Sequence, residues 1–158
     1  MGCLTVGAMT RYHPWREFGK NHPEVSVSCR YVLPNDLKGA WTPHGLYLHR
    51  DLDQVGRRMT LSHELAHKER GSVCARGVTH TMTVEDVKEE RAVDELASRK
   101  LITLDQLVDA LAWTRYEVGS ESAGELWCDI HMLLIRVQNL TPTEKAFIDE
   151  ELMRRQPW

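Results

Sequence analysis

Apolar positions along this chain follow two periods, and the change from one to the other organises it. Val25, Val27, Cys29 and Tyr31 alternate with polar neighbours, the period-two signature of a half-buried strand. Pro34-Asn35-Asp36 supplies a turn. Gly39-Ala40-Trp41 and Gly45-Leu46-Tyr47-Leu48-His49 then predict two further short strands around Thr42-Pro43-His44. Ahead of them Pro14 opens a short helix with Trp15 and Phe18 facing inward, which His22-Pro23 ends. Residues 1–12 carry little pattern.

Beyond Arg50 the period lengthens to that of a helix. Asp51 or Asp53 caps a helix running to Arg70, which Gly71 closes, with Met59, Leu61, Leu65 and Ala66 turned inward. A connection through Cys74, Gly77 and His80 follows. Thr83 with Asp86 resembles a capping box, and its helix runs without Gly or Pro through Lys100. Thr103 with Gln106 repeats that signal ahead of the stripe Leu104, Leu107, Val108, Leu111 and Ala112. Gly119-Ser120 punctuates before a short helix near Glu121–Trp127 and a longer one from Asp129 to Leu140. Thr141-Pro142 starts a last helix faced by Phe147, Ile148 and Leu152. The pattern predicts an α+β fold: a small three-stranded antiparallel sheet packed on two long helices, then a helix-turn-helix-like C-terminal region. Residues 1–102 form a core, and residues 103–158 a helical region packed on it.

Composition narrows the function. At 158 residues the chain suits one compact domain or a catalytic core with a small appendage. A net charge of −3 sets up no basic field for nucleic acid or anionic membrane. The four cysteines, Cys3, Cys29, Cys74 and Cys128, are scattered without a C-x-x-C pair. That argues against a disulfide framework or a cysteine-rich zinc knuckle, and for reduced thiols in a cytosolic protein. No apolar run approaches the roughly 20 residues a bilayer span needs. The first six residues lack a signal peptide's basic region and match no myristoylation pattern. A soluble, cytoplasmic protein without a membrane partner is expected.

The chemistry concentrates in Met59–His67, which contains His63-Glu64-Leu65-Ala66-His67, an H-E-x-x-H inside the helical pattern. Residues four apart share a helix face, so both imidazoles can bind one Zn²⁺ at roughly 2.0–2.1 Å. Glu64, beside the first histidine, sits where a general base can take the proton of an attacking water. A third ligand is expected from the next helix, where Glu90 and Asp94 share a face. Glu90 would complete a His₂Glu set. Asp94, one turn on, would accept the N–H of a ligating imidazole. Glu95 is the competitor for the ligand role, whereas Glu85, Asp86 and Glu89 read as a solvated acidic face. His80, Tyr47 and His49 are the candidates for stabilising a developing oxyanion.

His63-Glu64-Leu65-Ala66-His67 followed by Glu90-Arg91-Ala92-Val93-Asp94-Glu95-Leu96-Ala97 resembles the ImmA/IrrE metallo-endopeptidases. In that family the second helix reads approximately E-x-x-A-N/D-x-F-A. Val93 stands here for the small residue and Leu96 for the aromatic one. Gly39-Ala40-Trp41 and Gly45–Leu48 look like the sheet before the active-site helix. Glu125-Leu126-Trp127-Cys128-Asp129 is similar to the C-terminal region of actinobacterial and phage-encoded members, so the likeness covers most of the chain. The resemblance implies a zinc-dependent endopeptidase acting on a protein substrate, a helix-turn-helix repressor of a phage or mobile element. Two alternatives are a catalytically weak metal-containing regulator that works by partner contacts, and a helix-turn-helix DNA-binding protein. Against the last, the helix from Ile130 to Asn139 is mostly apolar and carries one fixed cation, Arg136, so no direct contact with nucleic acid is expected.

Overall fold

A computed structural model describes residues 11–73 and 81–156 of the chain. His80, one of the oxyanion candidates, lies outside the described residues, as do Cys3, Cys74 and Gly77. The fold is α+β, with seven helices and a three-stranded mixed sheet among the described residues.

A first helix, α1 (Pro14–Asn21), buries Phe18, whereas Trp15 is exposed rather than turned inward. The sheet consists of β1 (Val27–Ser28), β2 (Gly39–Thr42) and β3 (Gly45–Leu48) in the order β1-β3-β2. The hairpin β2–β3 is antiparallel, with Ala40 opposite Tyr47 and Trp41 opposite Leu46. The expectation of a wholly antiparallel sheet is corrected at β1, which pairs in parallel with β3, Val27 opposite Leu46. A tight turn joins strands as antiparallel neighbours, whereas parallel neighbours need a crossover connection. Here the chain leaving β1 crosses to the far side of β3 before β2 begins. Tyr31 accepts from the Arg50 amide at 3.0 Å on the way, and Leu37 closes a turn onto Pro34 at 3.1 Å. Asn35 and Asp36, both at positive φ (55° and 56°), make that turn, as their short polar side chains allow.

Helix α2 (Gln54–Arg70) is capped by Asp53, whose side chain accepts from the Gly56 amide at 2.6 Å. It ends on Gly71 in the left-handed conformation, φ 71°. One face of α2 presents Leu61 and Leu65 to Phe18, Leu46 and Leu48 of α1 and the sheet. The other presents Met59 and Ala66 to a second apolar cluster. That cluster draws on α3 (Val84–Leu101), α4 (Leu104–Trp113), α5 (Ser120–Glu125), α6 (Ile130–Gln138) and α7 (Pro142–Arg155). It runs without a break across Leu101, Ile102, Leu107 and Val108. Covered on both sides, α2 is buried at every one of the ten positions from Arg58 to His67. Capping boxes start α3, α4 and α7 at Thr83, Thr103 and Thr141. No helix among the described residues is long and apolar enough to cross a membrane.

The C-terminal helices are tied together by a charged knot. Arg136 of α6, 3% exposed, donates to the Ile102 carbonyl at 2.9 Å and to Glu144 at 3.1 Å. Arg99 of α3 donates to the same Glu144 oxygen at 2.7 Å. Burial pushes the Glu144 carboxyl up, but hydrogen bonds from Thr141, Arg136 and Arg99 outweigh it and hold the group at about 2. A carboxyl depressed in the fold stabilises it fully above its ordinary value of 4.5, and that contribution is lost as pH falls toward about 2. Glu144→Gln is therefore expected to lower stability at pH 7 by about 2 kcal/mol, since it leaves a buried charged donor under-partnered. Chemical denaturation should show the gap to wild type closing between pH 4.5 and 2. A gap unchanged over that window would show that Glu144 is not the titrating group.

Candidate metal centre

Two helices bring the ionisable residues together. His63 and His67, one turn apart on α2, stand with their rings 4.7 Å apart and nearly perpendicular. Their Nε2 atoms approach to 3.1 Å. From α3 the Glu90 carboxylate comes to 3.4 Å from His63 Nε2 and 3.2 Å from His67 Nε2. All three side chains are buried, and each offers an atom within 4.8 Å of the others. Four-coordinate bonds of about 2.0–2.1 Å imply ligand-to-ligand edges of roughly 3.3 Å. The observed spacings fall around that value, so this donor set fits a small divalent ion. Of the two glutamates weighed for the third position, Glu90 is the one in this group, while Glu95 pairs with Arg99 at 3.2 Å.

What lies behind each imidazole sets its aim. The Asp94 carboxylate meets His63 Nδ1 at 2.9 Å. A carboxylate accepts, so the ring proton belongs on Nδ1 and the Nε2 lone pair turns toward Glu90. His67 Nδ1 meets the Ser72 hydroxyl at 2.9 Å. Ser72 in turn bonds Glu89, which Arg70 grips through two bonds of 2.7 and 2.9 Å. Since Glu89 can only accept, Ser72 donates to it and accepts from His67. The Arg70 and Ser72 bonds hold the Glu89 carboxyl at about 2. Glu89 is thus not the merely solvated carboxylate that its place in an acidic run predicts. The part played by Ser72 is invisible in sequence, because it arises only where the chain turns back after Gly71.

Glu64 is buried at 2% exposure and lines a cavity of about 190 Å³ beside the histidines. One wall is the turn Asn35-Asp36-Leu37 with Lys38 and Gly39, and the floor is Gly56, Met59, Thr60 and His63 of α2. Asp94, Asp129, His131 and Met132 complete the lining. Tyr47 and His49 are not among its lining residues. Tyr47 points from the sheet face opposite Leu46 and Leu48, its ring 5.0 Å from Tyr31. His49 accepts from the Asp51 amide at 3.2 Å. Neither candidate is brought to the cavity: strand alternation turns Tyr47 away from α2, and His49 lies one residue beyond the end of β3. His131 is the imidazole that sequence reasoning missed. Its placement depends on α6 packing against α3, a contact no local pattern signals.

No protein-family model, curated protein or solved structure matches the chain.

Protein purified without an affinity tag should carry about one divalent ion per chain, and His63→Ala or His67→Ala should lose it. Asp94→Asn should keep the fold yet weaken metal affinity by roughly 10–100-fold, the usual effect of removing the carboxylate behind a ligating histidine. Isothermal titration of the apoprotein measures both. Full occupancy in the double histidine variant would sink the assignment.

Proposed function

We propose that this chain is a zinc-dependent endopeptidase of the ImmA/IrrE type, cleaving a peptide bond in a protein substrate. The observation that carries the reading is the convergence of His63, His67 and Glu90 beside a cavity lined by the Glu64 side chain. Two imidazoles and one carboxylate suit zinc, and the set leaves a coordination position for reaction. When bound, zinc would polarise the scissile carbonyl and bring the pKa of an attacking water toward neutrality.

The residues divide the remaining work. His63, His67 and Glu90 would hold the ion, with Asp94 and Ser72 keeping each ring's second nitrogen occupied. A Glu64 carboxylate oxygen takes the proton of the water as its oxygen bonds to the peptide carbon. Glu64 then returns that proton to the leaving amine nitrogen as the C–N bond breaks. Lys38 and His131 also line the cavity and are the N–H donors assigned in this reading to the carbonyl oxygen as it gains charge. The substrate proposed by resemblance is a helix-turn-helix repressor of a phage or mobile element. A regulator that only binds partners would not need Glu64 buried in the cavity wall. A cytoplasmic setting belongs to the same proposal.

Glu64→Gln should retain one zinc per chain and lose cleavage by at least the roughly 10²–10⁴-fold typical of a missing general base. Comparable turnover in a substrate assay would place the base elsewhere.

The reading also disfavours DNA binding by the C-terminal region. Between Thr103 and Leu140 the fixed cations are Arg115 and Arg136, against Asp105, Asp109, Glu117, Glu121, Glu125 and Asp129. Arg136 is itself buried and committed to Ile102 and Glu144. Anisotropy titration with duplex DNA at about 150 mM salt should give nothing tighter than the 10⁻⁴–10⁻⁶ M of non-specific contacts. A salt-sensitive nanomolar complex would overturn that expectation.

A further inference from the structure

Strand β2 lies against α2, and Glu64 is met there by two of its residues. Gly39 and Trp41 are two apart on the strand and so share a face. Trp41 donates its indole N–H to the Glu64 backbone carbonyl at 3.4 Å. Its ring is packed by Phe18, with centroids 5.8 Å apart, and by the Lys68 ammonium at 4.7 Å. Gly39, fully buried, has no side chain to hold the strand away. A Cβ built there would stand 2.7 Å from Thr60 Cγ2 and 3.1 Å from both Cγ and Oε1 of Glu64. Ordinary carbon contacts lie at about 3.5–4.0 Å. The backbone at Gly39 is outside the left-handed region, so alanine would meet no conformational objection. The need for glycine is therefore one of space, taken first by Thr60 Cγ2 and then by the Glu64 side chain.

We propose that Gly39 is a positioning residue for Glu64: the bare backbone of the β2 edge forms a wall that fixes where the Glu64 carboxylate stands in the cavity, while Trp41 anchors the same residue's backbone. The inference rests on Glu64 as the proton acceptor of the reading above, but the geometry it asserts can be tested without any substrate. The wall works by exclusion. Oε1 of Glu64 already stands against Gly39, so torsions that carry the carboxylate further toward β2 meet the strand, and the side chain keeps to the cavity it lines. Misplacement of a reacting group by about 1 Å can cost on the order of 10²-fold in rate, so such a wall has catalytic weight.

The test separates Glu64 from Thr60. Crystal structures of Thr60→Ser and of Gly39→Ala/Thr60→Ser are compared, since serine removes Cγ2 and with it the closest contact. The double variant should show the Glu64 carboxylate displaced by roughly 0.5 Å or turned to another rotamer, the distance needed to restore normal contact. His63, His67 and Glu90 should superpose, with zinc stoichiometry unchanged. A Glu64 that superposes in the two structures would overturn the proposal and leave Gly39 a packing residue for Thr60. Should the double variant fail to fold, Gly39→Ala/Thr60→Ser/Glu64→Ala supplies the second arm, because removing Cγ and Oε1 of Glu64 removes the remaining contacts. Recovery of cooperative unfolding there supports the proposal, and failure to recover overturns it. Neither readout involves hydrolysis, so failure here is distinct from failure of the peptidase reading, which Glu64→Gln tests.

Discussion

The structure depends on burying a polar helix. From Arg58 to His67 every residue of α2 is inside, yet Arg58, Thr60, Ser62, His63, Glu64 and His67 are polar or ionisable. A helix buried on all sides is normally apolar all round. Leaving a buried donor or acceptor unmatched costs about 1–3 kcal/mol, and more for a charge, so such a helix survives only if its surroundings answer it. They do so for Arg58 and for both histidines. Arg58 donates to the carbonyls of Trp127 and Tyr12 at 2.9 and 3.3 Å. His63 is met by Asp94 and His67 by Ser72.

That requirement explains the arrangement of the rest. Val93 and Ala97 of α3 bury themselves in the larger apolar cluster, and Glu90 and Asp94 lie one turn apart on the neighbouring face. Apolar packing thereby sets the height at which both carboxylates meet the histidines. Helix α6 closes the assembly from behind. Met132 and Leu133 enter the apolar cluster, while His131 and Met132 line the cavity. The C-terminal helices are consequently part of the site's walls as well as of its support. Knots of charge such as Arg99–Glu144–Arg136 hold them at fixed distance from α3. The charged group at Glu17, Glu69 and Lys100 does the same between α1, α2 and α3.

Much of this was legible in the chain because it is local. Helix starts at Thr83, Thr103 and Thr141 follow from side chains that bond amides three residues on, and the left-handed close at Gly71 follows from its missing Cβ. Spacing of four on one helix brings His63 to His67, and the same spacing brings Glu90 to Asp94. The β2–β3 hairpin was readable for the same reason, since a short turn determines its pairing.

What needed the tertiary structure is everything that depends on segments distant in sequence. The parallel pairing of β1 arises from a crossing connection whose path no periodicity encodes. Ser72 and Glu89 become partners of His67 only because the end of α2 abuts α3, and His131 reaches the cavity only because α6 packs there. Tyr47 and His49 are close to α2 in sequence yet neither lines the cavity, Tyr47 because the register of β3 turns it to the other face of the sheet. The narrow gap between Gly39 and Glu64 is likewise a distance between two elements. A sequence records which groups a helix or turn presents, because torsions and short-range bonds determine that. Packing then chooses which of those groups meet.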